Sequence, residues 1–337
     1  MQGVLLDQFG VLHDGKVPYP GAVEAVEFLH SQGVRLLIIS NSSRRAPEAL
    51  RNIAKLGFDA SHFAGVVTSG EVAHRQLEQR PTAFWQQLGR RCLHFTWAAR
   101  GAISLDGLGL EVTQDPQAAD FILAHGTEAL GTPASTFAAG TDHSSGATAA
   151  AAAAHAVPDG MPPDNTGNGS SSPARSSSGS TVASTPCSLE QLRELMARCA
   201  ERSKRSGHSV PMVVANPDLV TVHGSELRVM PGTLARQYQE MGGEVHLMGK
   251  PAPLIYEEAL TLLALPAAEV IAIGDSMEHD IAGARDAAVD SLLIAGGIHA
   301  TDLLSPDGLT LQEDGLLRLS ARYSATPSYF LPWFRLA

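Results

Sequence analysis

The segment VLLDQFGVLHDG occupies residues 4–15 and joins a short apolar run to a carboxylate. The run at 4–6 predicts a buried strand, Asp7 follows it directly, and Gly10 allows the backbone to turn. Open α/β sheets bind their ligands at the carboxyl ends of the strands, which makes Asp7 a candidate functional residue. An Asp after an apolar run also commonly caps a turn. The choice between these two interpretations depends on partners elsewhere in the chain.

Strand and helix patterns alternate downstream of this segment. The predicted elements are a helix from Pro20 to Gly33, a strand at 34–39, a helix between Pro47 and Gly57, a strand at 65–69 and a helix at 70–78. Because these strands are apolar throughout, they are typical of a parallel sheet with both faces covered. The alternation returns at 245–295, so the first and last thirds are predicted to share one sheet. The predicted fold class is α/β, with a Rossmann-like parallel-sheet core at 1–74 and 246–337 and an inserted α/β domain at 75–245.

The stretch from about 131 to 186 differs in composition from the rest of the inserted domain. It consists mainly of Ala, Ser, Gly, Thr and Pro, with few charged residues. Such a segment lacks the apolar side chains that would offset its ordering entropy. We predict a disordered insertion here, inside a domain whose own strands lie at 91–97, 110–113 and 119–125.

The overall composition limits the classes of partner. The chain has 24 Lys+Arg against 35 Asp+Glu, a formal net charge of −11, and no strongly basic run, so nucleic-acid binding is disfavoured. No apolar stretch is long enough to cross a membrane, and no signal peptide precedes the first predicted strand. The three cysteines form no CxxC pair, which favours a reducing compartment over a disulfide framework. These features predict a cytoplasmic protein that binds neither nucleic acid nor membranes, although so short a start is also compatible with a truncated sequence.

Four predicted strands end in polar or charged side chains. These are Asp7, Ser40, Lys250 and Asp275, and Asp280 lies one helical turn after the last of them. Since the carboxyl ends of parallel strands share one edge of the sheet, these side chains are predicted to converge. Carboxylates 4 Å apart repel by about 4 kcal/mol per pair at an effective dielectric of 20, and a hard cation removes that repulsion. Oxygen ligands without sulfur favour Mg²⁺, with Lys250 as a second positive charge and Ser40 as a donor to phosphate.

With these residues in place, the chain resembles the haloacid dehalogenase-like superfamily. Within it, the chain is most similar to subclass IIA, which holds nitrophenyl-phosphatase-like and phosphoglycolate-phosphatase-like proteins. The segments that carry the resemblance are residues 7–15, Ser40-Asn41-Ser42, Asn216-Pro217-Asp218, Gly249-Lys250-Pro251 and residues 274–280. The resemblance covers nearly the whole chain outside the insertion. It implies that the domain at 75–245 is a cap that closes over the ligand.

The resemblance also implies roles for individual residues. Asp7 would attack phosphorus and form an aspartyl-phosphate, as carboxylate nucleophiles do. Ser40, Asn41 and Lys250 would hold the phosphoryl group, and Lys250 would also take part in catalysis. The residues implied as ligands of Mg²⁺, the expected cofactor, are Asp7, Asp275, Asp280 and, through its backbone carbonyl, Phe9. The implied function is Mg²⁺-dependent hydrolysis of a small phosphorylated metabolite, and the resemblance leaves open a homodimer formed through the cap.

One position departs from the family pattern. Phosphatases of the family place a second Asp two residues after the nucleophile as general acid and base, and this chain has Phe9 there. General acid–base catalysis contributes about 10²–10⁴-fold, so ordinary turnover is in question. Three alternatives stay open: His13 or Asp14 substitutes, the substrate has a good leaving group, or the site binds a phosphorylated metabolite without fast turnover. Carbon–phosphorus or carbon–halogen cleavage by Asp7 is a further rival, disfavoured by the magnesium-binding acids and by the lack of an assignable Schiff-base lysine.

Overall fold

The computed structural model of the chain describes residues 1–98, 103–133, 183–223 and 226–336. The strands are β1 (Gly3–Leu6), β2 (Arg35–Ser40), β3 (Phe63–Thr68), β4 (Arg91–Thr96), β5 (Glu111–Val112), β6 (Phe121–Ala124), β7 (Ala129–Gly131), β8 (Ser184–Pro186), β9 (Met212–Val214), β10 (Val220–His223), β11 (Glu226–Val229), β12 (Val245–Leu247), β13 (Val270–Gly274), β14 (Asp290–Ile294) and β15 (Tyr329–Leu331). The α-helices are α1 (Ala22–Ser31), α2 (Ala46–Lys55), α3 (Ser69–Gln79), α4 (Ala83–Gln87), α5 (Leu189–Ser206), α6 (Pro231–Glu240), α7 (Pro253–Leu263), α8 (Ala282–Asp286), α9 (Ala300–Leu303) and α10 (Glu313–Tyr323).

The first sheet has six strands in the order β15-β14-β13-β1-β2-β3, and every neighbouring pair in it is parallel. Its central strand β1 is buried on both faces because successive side chains point in opposite directions. Val4 and Leu6 pack in one apolar cluster with α1 and α2, and Leu5 packs in another with α3 and α7. This arrangement confirms the predicted α/β fold class with a parallel-sheet core.

The second sheet has the order β12-β9-β6-β4-β7-β8, with β5 paired to β4. Strands β7 and β8 run antiparallel to their neighbours, whereas β12, β9, β6, β4 and β5 are parallel. Helices α5 and α6 cover one face, where Leu192 and Leu234 pack against Phe95. Residues of the other face, among them Phe121 and Val213, belong to the same apolar cluster as Leu5, so one core joins the two sheets.

Helix α5 begins with a capping box that is visible in the sequence as Ser188 followed three residues later by Gln191. The Ser188 hydroxyl accepts a hydrogen bond from the Gln191 N–H at 3.2 Å, and the Gln191 side chain accepts one from the Ser188 N–H at 2.8 Å. This reciprocal pair is a capping box, which satisfies two backbone donors that the helix itself leaves unpaired. In the described part of the chain, no helix is long and apolar enough to span a bilayer.

Strand β12 corrects one expectation about the first sheet. The sequence predicts that the strand before Lys250 belongs with β1 and β13, because strand–helix alternation resumes there. In the structure β12 instead pairs in parallel with β9, so it belongs to the second sheet. The predicted boundary between 245 and 246 therefore falls inside a strand of the second sheet. The division into core and cap domains stays a prediction.

Both ends of the predicted disordered insertion form strands in the structure. Its first residue, Gly131, closes β7, and its last residues form β8, which pairs with β7 through Gly131 and Ser184. The rest of that prediction, at 134–182, lies outside the described residues. The strands and α-helices that the sequence patterns did not predict are β7, β8, the β10–β11 hairpin, α4, α9, α10 and β15.

Candidate active site

Asp7 and Asp275 leave neighbouring strands at the same edge of the first sheet. Strand β1 pairs in parallel with β13, and Leu6 lies opposite Ile273. The Asp7 N–H continues this ladder by donating to the Ile273 carbonyl at 2.9 Å. The predicted convergence of these two strand ends is therefore present in the structure.

The backbone passes unusually close to Asp275 at the turn after Asp7. Gly10 has φ of +77°, and a Cβ added there would lie 1.8 Å from Asp275 Oδ2. Only glycine fits such a contact and such a φ without strain. The loop after β14 approaches the same oxygen: the Ile298 N–H donates a hydrogen bond to Asp275 Oδ2 at 2.8 Å. The turn and the loop after β14 thus hold Asp275 in place.

Asp280 joins the two strand-end carboxylates from a wide helical turn at Met277–Ile281. In this turn the Ile281 N–H donates to the Ser276 carbonyl at 3.1 Å, a bond that spans five residues. Such π-type turns are rare and are frequent at functional sites. Here the turn lets the Ser276 N–H donate to Asp280 Oδ2 at 3.0 Å. One oxygen from each of Asp7, Asp275 and Asp280 then lies within 4.8 Å of the others.

Lys250 bridges two of these carboxylates from a buried position. Its Nζ lies 2.8 Å from Asp7 Oδ1 and 2.6 Å from Asp280 Oδ1, with only 2% of the side chain exposed. Truncation of one partner in such a buried pair leaves an uncompensated charge, so Lys250 is essential to the charge balance of the site. The Tyr256 hydroxyl donates to the Asp280 carbonyl at 3.1 Å and further fixes this acid.

Burial and mutual repulsion change the proton affinities in this cluster. Burial raises the pKa of Asp7 to about 7, although the neighbouring Lys250 opposes the rise. The pKa of Asp275 is raised well above its usual value, first by burial and then by the charges of Asp7 and Asp280. Burial alone would lower the pKa of Lys250, but Asp280 and Asp7 together outweigh it and raise that pKa. The ionised forms of Asp7 and Asp275 are therefore disfavoured in the buried cluster, and a cation bound nearby would stabilise them.

The donor set fits a hard divalent cation. Asp7, Asp275 and Asp280 supply only carboxylate oxygens, the ligands that Mg²⁺ prefers over nitrogen or sulfur. Binding of Mg²⁺ by the backbone carbonyl of Phe9, two residues after Asp7, stays a prediction. No other group of three or more metal-ligating side chains occurs among the residues that the structure describes.

Ser40 and Asn41 end β2, the other strand next to β1. Ser40 is buried, and its hydroxyl accepts a hydrogen bond from the Ser42 N–H at 3.3 Å. The Asn41 side chain holds the backbone of Lys250: its Oδ1 accepts from the Lys250 N–H at 2.7 Å, and its Nδ2 donates to the Lys250 carbonyl at 3.2 Å. Phosphate binding by Ser40 and Asn41 stays a prediction, whereas the structure shows Asn41 positioning Lys250.

The route by which Lys250 reaches the site differs from the expectation. The sequence argument places Lys250 at the end of a strand of the first sheet. The structure places it after β12 of the second sheet, in the turn that leads to α7. Asn41 Nδ2 also donates to Asp218 Oδ1 at 2.9 Å, so the loop after β9 contacts the same amide. Asp218, which belongs to one of the segments that carry the family resemblance, thus contacts the site directly.

The Phe9 side chain has no group that can donate or accept a proton, and its ring packs against His13. Its side chain is 49% exposed, and its ring meets the His13 ring edge-on with centroids 4.7 Å apart. His13 Nδ1 accepts from the Gly15 N–H at 3.0 Å, and burial lowers the pKa of His13 to about 4. Asp14 Oδ1 accepts from two backbone N–H groups of the exposed turn that follows it. Both predicted substitutes for the general acid are therefore engaged in turn structure.

Known proteins match this chain in sequence and in structure. The family model described as haloacid dehalogenase-like hydrolase matches residues 4–111, and the family model described as HAD-hydrolase-like matches residues 247–312. Chronophin from Bos taurus and chronophin from Homo sapiens are each 44% identical to the chain over 80 residues. That match covers 23% of this chain and 27% of each chronophin, so it spans about a quarter of the length of these relatives.

Solved structures extend the likeness over nearly the whole chain. A hydrolase of the haloacid dehalogenase-like family from Brucella suis 1330 has a TM-score of 0.62 at 24% identity, and the match covers 98% of this chain and 94% of that one. A p-nitrophenyl phosphatase from Archaeoglobus fulgidus has a TM-score of 0.58 at 17% identity, covering 99% of this chain and 97% of its own. At these identities the likeness shows a shared fold.

Proposed function

The chain belongs to the haloacid dehalogenase-like hydrolases, and on that premise we propose that it is a Mg²⁺-dependent phosphatase of a small phosphorylated metabolite. The observation that carries the proposal is the contact of Asp7 with Lys250 at 2.8 Å, within a cluster of three buried carboxylates. A carboxylate at a strand end, neutralised by a buried lysine, is suited to attack an anionic phosphoryl group.

The proposed reaction proceeds in two displacements. An Asp7 oxygen attacks phosphorus, the bond from phosphorus to the leaving oxygen breaks, and an aspartyl-phosphate forms. Water then attacks the phosphorus of that intermediate, which releases inorganic phosphate and restores the Asp7 carboxylate. Lys250 stabilises negative charge beside Asp7 throughout, and the Ser40 hydroxyl lies at the neighbouring strand end as a donor to the phosphoryl oxygens.

Asp7, Asp275 and Asp280 would hold the Mg²⁺ ion, together with the Phe9 carbonyl. When bound, the ion neutralises charge on the phosphoryl group and on the acids that surround it. The support for this part is the oxygen-only donor set and the raised pKa values of Asp7 and Asp275.

A second candidate function is phosphometabolite binding without fast turnover. Phe9 has no proton to transfer, and the side chains of His13 and Asp14 are bonded within their own turn. The two candidates differ in whether the leaving group can depart without a proton donor.

The deciding experiment is phosphate release from a panel of phosphorylated metabolites. Wild type and Asp7→Asn are compared with Mg²⁺ and with EDTA, and the Asp7→Asn variant is checked for folding by circular dichroism. Magnesium-dependent release that Asp7→Asn loses supports the phosphatase. Release no higher than in Asp7→Asn across the panel overturns it and favours binding without turnover.

A further inference from the structure

A pocket of about 280 Å³ opens immediately beside the candidate active site. Its lining includes Gln8, the residue after Asp7, and Ser42, whose N–H donates to the Ser40 hydroxyl at 3.3 Å. The remaining lining comes from the turn at 9–15 and from α2. The pocket is therefore lined by residues that follow Asp7 and Ser40 closely in the chain, next to the ends of β1 and β2.

The charge of this pocket is opposite to that of the whole protein. Its lining includes Arg44 and Lys55 and no carboxylate, although the chain carries a net charge of −11. Arg44 is paired at the rim, with its Nε 3.1 Å from Glu48 Oε1. Lys55, by contrast, has no ion-pair partner within 4.0 Å in the described part of the chain. An unpaired lysine in a concave, partly apolar surface is a favourable site for an anionic group.

The rest of the lining is suited to a flat organic body. Phe9 presents a half-exposed ring, backed edge-on by His13, and Ala49 and Leu56 add apolar surface from α2. A large aromatic side chain left half exposed beside a pocket marks a surface that a ligand can cover. The Asn52 side chain adds one polar group next to Lys55 on the same helix.

We propose that this pocket binds the leaving-group part of the substrate, and that this part is a flat organic body carrying a second anionic group. Phe9 contacts the body, and Lys55 binds the carboxylate or phosphate, with Arg44 at the rim. The inference rests on the proposed phosphatase function, and it narrows the substrate to a phosphate monoester with an additional negative charge.

Binding of two non-hydrolysable phosphonates tests this without requiring turnover. The probes are 4-carboxybenzyl phosphonate and 4-carbamoylbenzyl phosphonate, which differ only in the charge of the distal group. Calorimetric titration with Mg²⁺ present compares wild type, Lys55→Gln and Arg51→Gln. Arg51 lies on α2, is exposed and does not line the pocket, so its variant is the matched control.

Wild type is expected to bind the carboxylate about tenfold more tightly than the amide, the size of one modest charged contact. Lys55→Gln should abolish that preference and leave affinity for the amide within about twofold, whereas Arg51→Gln should keep it. Equal affinity of wild type for both probes, or a preference that survives Lys55→Gln, overturns the proposal.

Titration with benzoate tests whether Lys55 binds an anionic group of the substrate or any free carboxylate. Benzoate that binds wild type at Lys55 as tightly as the carboxylated phosphonate, without competition from inorganic phosphate, would also contradict the proposal. If the protein releases no phosphate from any substrate, the proposed phosphatase function fails. The preference at Lys55 can still be measured in that case, because the probes are not hydrolysed.

Discussion

The side-chain amide of Asn41 holds the main chain of Lys250 by both of its polar groups. Asn41 Oδ1 accepts from the Lys250 N–H at 2.7 Å, and Asn41 Nδ2 donates to the Lys250 carbonyl at 3.2 Å. The two residues are 209 positions apart, and the contact joins the end of β2 to the turn after β12. A residue predicted to contact phosphate thus sets the position of the lysine that contacts Asp7.

Replacement of Asn41 by alanine is expected to move Lys250 as well as to destabilise the fold. The variant leaves a buried N–H and a buried carbonyl of Lys250 without partners, at a cost of about 1–3 kcal/mol for each group. Urea denaturation is expected to show that loss, and phosphate release to fall in kcat more than in KM. Gln239→Ala, which removes an exposed side-chain amide on α6, is the control for stability. Unchanged stability and kcat in Asn41→Ala would show that Lys250 is positioned without Asn41.

Removal of the charge of Lys250 is expected to make stability depend on Mg²⁺. Lys250→Gln leaves Asp7 and Asp280 uncompensated, and breaking such a buried pair costs about 3–5 kcal/mol. Thermal unfolding should therefore occur at a lower temperature in EDTA, with a larger rise on addition of Mg²⁺ than wild type shows. Lys250→Arg keeps the charge and is expected to show a smaller Mg²⁺ response. A response of the same size in all three proteins would contradict the charge balance inferred here.

Neutralisation of Asp275 is expected to have opposite effects in the absence and presence of metal. The pKa of Asp275 is raised because burial and two neighbouring acids disfavour its charge, so Asp275→Asn should stabilise the metal-free protein. The same change removes a metal ligand and should abolish stabilisation by Mg²⁺ and phosphate release. Denaturation in EDTA and in Mg²⁺ separates the two effects. Asp286→Asn, an exposed neutralisation on α8, should change neither.

Introduction of an acid at position 9 is expected to change how kcat/KM depends on the pKa of the leaving group. Without a proton donor, wild-type kcat/KM should fall steeply as the leaving-group pKa rises from nitrophenol to an alkyl alcohol. Phe9→Asp should flatten that dependence and raise activity on alkyl phosphates by up to about 10²–10⁴-fold. Phe9→Asn, of similar size but without a transferable proton, is the matched control. If both variants give the wild-type slope, position 9 does not act on the leaving group.

The buried histidines of the second sheet are expected to make the fold sensitive to acid. His94 is fully buried beside His125, its ring nitrogens have no hydrogen-bond partner among the described residues, and burial lowers its pKa to about 3. The unfolded chain binds a proton at His94 near pH 6.5 and the folded chain does not, so stability is full above pH 6.5 and is lost as the pH falls.

Between pH 6.5 and 5 that loss amounts to about 2 kcal/mol for one histidine, since each pH unit is worth about 1.4 kcal/mol. Urea denaturation at pH 7 and pH 5 should show a smaller difference for His94→Leu than for wild type. Thr96→Val, a buried change two residues along β4 that does not titrate, should leave the difference unchanged. A His94→Leu variant as acid-sensitive as wild type would rule out this origin.

The sequence predicted the elements whose signals are local. Asp7 and Asp275 follow apolar runs, and their adjacency follows from parallel pairing, so the sheet edge that they share could be inferred without coordinates. The capping box at Ser188 is equally local. The family assignment was predicted from the five segments that carry the resemblance, and the α/β fold from the alternation of apolar strands and helices; both are confirmed.

The sequence could not assign the contacts made between distant segments. An apolar run of three residues such as β12 carries no information about which sheet it joins, so Lys250 was predicted at the site for a partly wrong reason. The side-chain partners of Asn41 and Asp218 depend on how the second sheet lies against the first. The signal that could have suggested the tight packing around Asp275 is Gly10, where any side chain would collide with it.

Strands β7 and β8 bring the two ends of the low-complexity stretch side by side. Gly131 pairs with Ser184, and the Thr132 N–H donates to the Ala183 carbonyl at 2.8 Å. Thr132 and Ala183 therefore lie side by side at the ends of β7 and β8, the last two strands at one edge of the second sheet. Loop-closure entropy depends only weakly on loop length, so segments of very different length can join these two strand ends at similar cost. A tag or a foreign domain inserted between them is therefore expected to leave the hydrolase fold intact.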